Sequence, residues 1–261
     1  MAQYGICTLS VIPVRAATSE RSEMVNQLLF GETFEVIDEM GGWFLIRGTL
    51  DGYEGFVDKK QCCFLTDEEY GRLTKLPVLH PADPVSEISD PTTKERSGIL
   101  FGSTLRMDDQ KRIIIGKQNF LYHGKTLSLT GDKREALTST ARKFLGAPYL
   151  WGGRSLFGID CSGLIQVVFK VNGMALPRDA SQQAQQGITL HLISEASPGD
   201  LLFFDNEEEQ IVHVGMLSDE EHIIHASGFV RIDKIDHYGI FNETLQKYTH
   251  KLRLIKQVVD E

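Results

Sequence analysis

The stretch over residues 148–164 constrains this chain more than any other. A glycine-rich run ends at Asp160-Cys161, and apolar residues recur three, four and seven positions after Cys161. This spacing predicts a helix that begins at Cys161, is capped by Asp160 and ends near Asn172. The unpaired N–H groups and the positive dipole end of a helix start stabilise a thiolate. The pattern therefore favours a nucleophilic cysteine over an ordinary core residue.

Composition limits the kinds of fold, partner and location that the chain can have. The chain has 261 residues, 41% of them hydrophobic, which suits one large domain or two to three small ones. Its net charge of −9 argues against nucleic acid or an anionic membrane as the main partner. No apolar run is long enough to span a bilayer, and no basic residue precedes Arg15 in the manner of a signal peptide. A cytoplasmic location is the resulting expectation.

The other cysteines carry no recognisable framework. Cys7 stands alone, and Cys62 and Cys63 are adjacent, so the spacing matches neither a disulfide scaffold nor a zinc ribbon. We expect these three to be reduced, partly buried thiols.

Residues 1–65 alternate between short apolar runs and turn residues, which predicts a small antiparallel barrel. The segment Gly52-Tyr-Glu-Gly-Phe56 resembles the corresponding part of bacterial Src-homology-3-type barrels. Thr66 and Glu69 have the spacing of a capping box, and prolines punctuate a linker over residues 66–84. Residues 85–130 resemble a second, weaker pass of the same barrel pattern.

Residues 131–261 change to a pattern of helices followed by strands, which predicts an α+β domain. Asp132 and Glu135 form a capping pair for a first helix, and the Cys161 helix follows. Asp179 is the predicted cap of a shorter third helix. Strands are predicted after residue 200, with a hairpin turn at Ser218–Glu221.

Two histidines flank that hairpin. Pairing of its strands brings His213 and His225 onto one face, whereas His222 has the opposite parity and should point elsewhere. A cysteine nucleophile needs a base and a third group that orients the base. The two histidines are the candidates for these roles.

Together these motifs resemble the NlpC-type cysteine peptidases, a papain-like family of cell-wall peptide hydrolases. The matching segments are Pro148-Tyr-Leu-Trp-Gly-Gly, Asp160-Cys-Ser-Gly-Leu, Pro198-Gly-Asp-Leu-Leu-Phe-Phe, His213-Val-Gly-Met and His225-Ala. The resemblance implies Cys161 as nucleophile, His213 as general base and then acid, and His225 as its orienter. It also implies that Tyr149 helps to stabilise the oxyanion. The expected architecture is one or two small all-β Src-homology-3-type barrels followed by a papain-like α+β catalytic domain with a central antiparallel sheet.

The layout further resembles γ-D-glutamyl-L-diamino-acid endopeptidases. That subgroup cuts L-Ala-γ-D-Glu from the diamino acid of small peptidoglycan peptides such as L-Ala-γ-D-Glu-diaminopimelate, and its first barrel reads the free amino terminus. The resemblance points to substrate contacts by the following residues: Tyr53 and Glu23 on the barrel, and Asp160, Ser162 and Asp179 in the catalytic domain. It implies muropeptide recycling as the role of a cytoplasmic member, with no cofactor and no metal.

Three alternatives stay open at this stage. The chain could be a wall-peptide binding protein with an idle catalytic domain, although an intact Cys161, His213 and His225 set argues against this. The same side chains could form a zinc site, although paired close ligands are lacking. The fold could also serve an acyltransferase or an amidase.

Overall fold

The computed structural model describes residues 3–128 and 131–259. The chain divides into two compact units: the described part of residues 1–128 together with 152–156, and the described part of 129–151 and 157–261. The ends of the sequence-predicted segments at residues 1–2, 129–130 and 260–261 lie outside the described residues. Within the described residues, no helix has both the length and the apolar composition needed to cross a membrane.

The first unit begins with the predicted small all-β fold. Seven strands form one antiparallel sheet in the order β3-β2-β6-β5-β4-β1-β7. Their bounds are β1 Gln3–Ile6, β2 Val11–Arg15, β3 Met24–Leu29, β4 Thr33–Met40, β5 Trp43–Gly48, β6 Glu54–Asp58 and β7 Cys63–Leu65, with a 3-10 turn at Lys59–Gln61. Alternate residues of β2, β5 and β6 face a core that contains Ile12, Ile46 and Val57.

Helix α1, Asp67–Leu73, follows β7 and has the predicted capping box. The hydroxyl of Thr66 accepts from the N–H of Glu69, and the Glu69 carboxylate accepts from the N–H of Thr66 at 2.8 Å. A four-stranded antiparallel sheet in the order β10-β11-β8-β9 completes this part of the chain. Its strands are β8 Val85–Ser89, β9 Arg96–Leu100, β10 Arg112–Ile115 and β11 Gln118–Tyr122.

The two predicted barrels share a hydrophobic core. Ile6 of β1 and Phe30 of the turn after β3 pack in one buried cluster with Ile88 and Ile99 of the second sheet, and Leu73 of α1 belongs to the same cluster. The predicted linker over residues 66–84 therefore lies inside one compact unit. The prolines of this segment resemble those of a linker and so predict a domain boundary, but Leu73 of α1 is buried in the shared core.

The segment of residues 152–156, which includes the short strand β12 (Arg154–Ser155), also belongs to the first unit. Arg154 is 1% exposed, and its guanidinium donates to both carboxylate oxygens of Glu32 at 2.8 and 2.9 Å. It also donates to the backbone oxygen of Gln27 at 2.6 Å. A buried ion pair thus holds this segment within the first unit.

The second unit has the predicted order of helices before strands. Helix α2 spans Lys133–Arg142 behind an Asp132 cap, and α3 spans Cys161–Val171. The short α4 covers Ala180–Gln183, with a 3-10 turn at Ile193–Glu195 further on. The strands are β13 Gly158–Ile159, β14 Ile188–Leu190, β15 Leu201–Asp205, β16 Ile211–Leu217, β17 His222–Ser227, β18 Phe229–Asp236, β19 Gly239–Asn242 and β20 Lys247–Gln257.

The central sheet is antiparallel, as predicted, in the order β14-β20-β15-β16-β17-β18-β19. Strand β20 also pairs with β19, so six strands close into a barrel. One face of the sheet carries a buried cluster that includes Phe204, Leu217 and Ile240. Helix α3 packs against β16 and β17, and all eleven of its residues are buried. The sheet therefore supplies a fixed surface against which the start of α3 is held.

Candidate active site

Cys161 is the first residue of α3, as the sequence predicts. Asp160 is the N-cap, and its carboxylate accepts from the N–H of Gly163 at 2.7 Å. The Cys161 side chain is 5% exposed, and the backbone N–H groups of Val214 and Ser162 hydrogen-bond to its sulfur. Because Val214 directly follows His213 in β16, the nucleophile lies beside the strand that carries the predicted base.

The charge state of this thiol differs from the expectation. Burial, and next the nearby Asp160 carboxylate, raise the pKa of Cys161 to about 11. The N–H groups of Val214 and Ser162 and the Arg178 guanidinium act in the opposite direction but do not outweigh burial. The helix start was expected to stabilise a thiolate, yet the desolvation cost is larger, so the resting form is the neutral thiol.

His213 and His225 meet on one face of the sheet, which confirms the predicted hairpin. Strands β16 and β17 pair with Gly215 opposite His225, and Nε2 of His213 lies 2.9 Å from Nδ1 of His225. A side chain on Gly215 would clash with Ile223 and crowd His225, since an added Cβ would lie 2.6 Å from Ile223 Cδ1 and 3.0 Å from His225 Cβ. His222 points elsewhere, as its parity predicts, and contacts Asp219 at 2.7 Å. Because His213 Nε2 is hydrogen-bonded to His225, Nδ1 is the nitrogen that can act as the base.

Two residues that the sequence did not single out lie behind His225. Nε2 of His225 is 3.0 Å from Oδ2 of Asp233, and Arg231 donates to Oδ1 of Asp233 at 2.7 Å. Hydrogen bonds from His225 and Arg231 outweigh desolvation and hold the pKa of Asp233 below its usual value. The available signal was the alternation of Arg231 and Asp233 on β18, which places opposite charges on one strand face.

His250 is a third histidine of the site and was also missed. Its ring is stacked on that of His213, with centroids 4.3 Å apart and planes 25° apart. Strand β20 starts at Lys247 and so includes this histidine. Burial, and next the nearby His225, lower the pKa of His250 to about 4.

His213 itself is held neutral. It is 6% exposed, and burial lowers its pKa well below the usual value, helped by the like charges that His225 and His250 would carry. A base must have a free lone pair to accept a proton, so the neutral imidazole of His213 has the form that general-base catalysis requires.

Beneath the nucleophile lies a buried ion pair. Arg178 is 2% exposed and donates to both carboxylate oxygens of Asp160, at 2.9 and 2.5 Å, and to the hydroxyl of Ser162 at 2.8 Å. Arg178 thus binds both residues that flank Cys161 in the sequence. Asp179 is the N-cap residue of α4, as predicted, but its side chain makes no capping hydrogen bond. Its charge instead helps to raise the pKa of Arg178.

Tyr149 also lies near the nucleophile. It is half-buried, and burial, followed by the nearby Cys161 and Asp160, raises the pKa of its phenol to about 12. The phenol therefore stays protonated and able to donate a hydrogen bond. Tyr53 and Glu23 belong to the first unit, where Tyr53 is half-buried before β6 and Glu23 is exposed before β3.

The three imidazoles are also the described group whose geometry comes nearest to a metal site. Ligand nitrogens of His213, His225 and His250 lie within 4.8 Å of one another. The stacked rings of His213 and His250 are nearly parallel. Because the lone pairs of the ring nitrogens lie in the ring planes, they do not point at one shared metal position. The hydrogen bond between His213 and His225 further favours a catalytic pair over a pair of ligands.

An open cavity of about 470 Å³ lies next to His250. It is lined by Tyr238, Tyr248, Thr249, His250 and Lys251. One of its lining residues, His250, therefore also contacts the candidate base His213.

Comparison with known proteins matches two parts of the chain to known families. Residues 146–253 match the NlpC/P60 family, and residues 14–61 match the bacterial dipeptidyl-peptidase Sh3 domain. The first match contains Tyr149, Cys161, His213, His225 and His250. The predicted combination of an N-terminal Src-homology-3-type part with an NlpC-type catalytic part is confirmed.

Individual relatives extend over most of the chain. The γ-D-glutamyl-L-lysine dipeptidyl-peptidase of Bacillus subtilis is 30% identical over 86% of this chain and 75% of its own length. The protein of the same name from Bacillus cereus is 25% identical over 78% of this chain and 68% of its own length. The crystal structure of an NlpC/P60 family protein from Bacillus cereus has a TM-score of 0.83 at 19% identity, covering 98% of this chain and all (100%) of that one.

Proposed function

The chain belongs to the NlpC/P60 family of cysteine peptidases, and from this membership we propose that it hydrolyses the bond between γ-D-Glu and the L-diamino acid of small peptidoglycan peptides. The observation that carries the proposal is the hydrogen bond of 2.9 Å between His213 and His225. The residue after His213, Val214, donates its backbone N–H to the sulfur of Cys161. The relatives named γ-D-glutamyl-L-lysine dipeptidyl-peptidases support the substrate class.

In the first step, Nδ1 of His213 takes the thiol proton while the sulfur of Cys161 attacks the γ-carbonyl of D-Glu. A C–S bond forms, and the carbonyl oxygen becomes an oxyanion. The backbone N–H of Cys161 and the Tyr149 hydroxyl are the donors proposed for this oxyanion. Each donor of this kind is typically worth about 3–4 kcal/mol.

The proton held by His213 then passes to the nitrogen of the diamino acid, the C–N bond breaks, and the amine leaves. Water attacks the thioester, His213 accepts its proton, and the C–S bond breaks to release L-Ala-γ-D-Glu. The proton returns to the sulfur, so the enzyme ends in its starting state.

Selection of the peptide's amino end is assigned to the first unit. An ammonium group is bound well by a carboxylate with a hydrogen-bonding neighbour, and Glu23 and Tyr53 offer these groups. Asp160, Ser162 and Asp179 are the proposed contacts around the D-Glu residue. A requirement for a free amine would restrict the enzyme to small peptides and so to muropeptide recycling. The cytoplasmic location stays a prediction. Cell fractionation would measure where the protein is located.

The experiment uses L-Ala-γ-D-Glu-L-Lys, its diaminopimelate counterpart, an N-acetylated tripeptide and intact sacculi, with products identified by mass spectrometry. Release of L-Ala-γ-D-Glu from the free tripeptides is expected, with no release from the acetylated one. Cys161→Ala should abolish release and keep the fold. His222→Ala is the matched control, because His222 lies in the same hairpin but contacts Asp219, and it should keep activity.

Turnover by Cys161→Ala would contradict the nucleophile assignment. Cleavage of a different bond in the tripeptide would instead contradict the substrate assignment. Transfer of the acyl group to an added amine, without hydrolysis, would identify an acyltransferase.

A further inference from the structure

A line of three hydrogen bonds runs from the base into the protein. It joins His213 Nε2 to His225 Nδ1 at 2.9 Å, His225 Nε2 to Asp233 Oδ2 at 3.0 Å, and Arg231 Nη2 to Asp233 Oδ1 at 2.7 Å. The catalytic roles described above use only the first of these bonds. The other two decide which way the first one points.

The direction follows from counting protons. His213 can accept the thiol proton on Nδ1 only if Nδ1 has a free lone pair, which places the proton of the neutral ring on Nε2. That Nε2–H needs an acceptor, and His225 Nδ1 is one only when the proton of neutral His225 sits on Nε2. With the opposite tautomer, His225 would donate to His213 and force its proton onto Nδ1, where it would block the base.

We propose that Asp233 is a positioning residue that fixes His225 as the Nε2–H tautomer, and that Arg231 holds the Asp233 carboxylate in place for this purpose. A carboxylate has no proton to donate, so it accepts from His225 Nε2 and excludes the opposite tautomer. This inference rests on the proposed role of His213 as the base.

Burial makes the arrangement specific. His225 is 1% exposed and Asp233 is 8% exposed, so bulk water does not supply an alternative acceptor. Arg231 binds Oδ1 and leaves Oδ2 for His225, and its charge offsets the cost of a buried carboxylate. The same carboxylate is held ionised by its two partners, so it stays an acceptor over the working pH range.

The first test needs neither a variant nor a substrate. Long-range proton–nitrogen NMR correlations on protein labelled with ¹⁵N-histidine report which ring nitrogen of neutral His225 carries the proton. We expect protonated Nε2 and unprotonated Nδ1. A proton on Nδ1 would overturn the proposal, and would do so independently of whether γ-D-Glu peptides are cleaved.

The second test is a double-mutant cycle. Asp233→Asn keeps the size of the side chain but can donate to His225 Nε2, so we expect kcat to fall by about 10²-fold or more with little change in KM. In His225→Gln, the amide oxygen accepts from His213 without any tautomer, so adding Asp233→Asn should change kcat less than about twofold. An equal loss in both backgrounds would show a structural role only and overturn the proposal.

Discussion

The ring of His250 lies against the ring of His213, with centroids 4.3 Å apart. His250 reaches this position from β20, whereas His213 stands on β16 two strands away in the sheet. The His250 ring also lines the open cavity of about 470 Å³. We therefore expect His250 to shield the hydrogen bond between His213 and His225 from solvent in that cavity.

Replacement of His250 should lower activity according to the packing that is lost. His250→Ala removes the covering ring and lets water compete for His213, so we expect kcat to fall by about 10-fold or more. His250→Phe keeps a flat ring on His213 and should lose much less. Steady-state kinetics on the tripeptide measures both, and equal rates for the alanine variant and the wild type would contradict this role.

His250 should also make the protein less stable in acid. Its folded pKa of about 4 lies below the unfolded value of 6.5, so the unfolded chain binds the proton first as pH falls. The contribution of His250 to the free energy of unfolding is therefore fully present above about pH 6.5 and is lost as the pH falls towards 4. His213 and His225 also face His250 and add repulsion once protonated, whereas the Asp233 carboxylate acts in the opposite direction. The titratable side chains of Tyr238, Tyr248 and Lys251 line the cavity next to His250.

Melting temperatures at neutral pH and near pH 4.5 measure this effect. His250→Phe removes the titrating group, so its melting temperature should fall less between the two conditions than that of the wild type. The fall should not vanish, because the depressed pKa of His213 acts in the same direction. An identical fall in both proteins would contradict the assignment.

The high pKa of Cys161 predicts a strong pH dependence of its alkylation. Only the thiolate reacts, and with a pKa of about 11 its fraction rises roughly tenfold per pH unit between about pH 7 and 9. The rate of modification by iodoacetamide, followed at the Cys161 peptide by mass spectrometry, should rise accordingly. A rate that is already constant below neutral pH would instead show a preformed pair of thiolate and imidazolium.

Sequence patterns within single helices and hairpins were enough to predict Cys161, His213 and His225. The start of α3 at Cys161 follows from a cap and helical spacing within a dozen residues, and the pairing of β16 with β17 follows from one short turn. Strand parity then places His213 and His225 on one face and His222 on the other. Each of these inferences needs only neighbours in sequence and the geometry of one element.

The rest depends on contacts between distant segments. Asp233 reaches His225 through the register of β18 on β17, and His250 reaches His213 because β20 pairs with β15 and closes the barrel on β19. Arg178 is equally hidden, since nothing in its neighbourhood tells a buried arginine from an exposed one. The pKa of Cys161 was misjudged because burial could not be read from the helix start alone.

The buried pair of Arg154 and Glu32 predicts a large effect on the stability of the first unit. Glu32→Gln leaves the guanidinium of Arg154 buried without a countercharge, and loss of one partner of such a pair typically costs about 3–5 kcal/mol. Urea unfolding measures this in a Trp151→Phe background. The chain has 2 tryptophans, so the remaining Trp43 then reports on the first unit alone.

Glu87→Gln is the matched control in the same unit. Its partner Arg96 lies 2.9 Å away, but the two side chains are 41% and 68% exposed, so the loss should stay below about 1 kcal/mol. Each substitution removes the carboxylate charge that pairs with an arginine. The difference between the two losses in stability therefore measures the effect of burial. Similar losses for Glu32→Gln and Glu87→Gln would mean that the pair at Arg154 is solvated, and that the 152–156 segment is held in the first unit by backbone contacts instead.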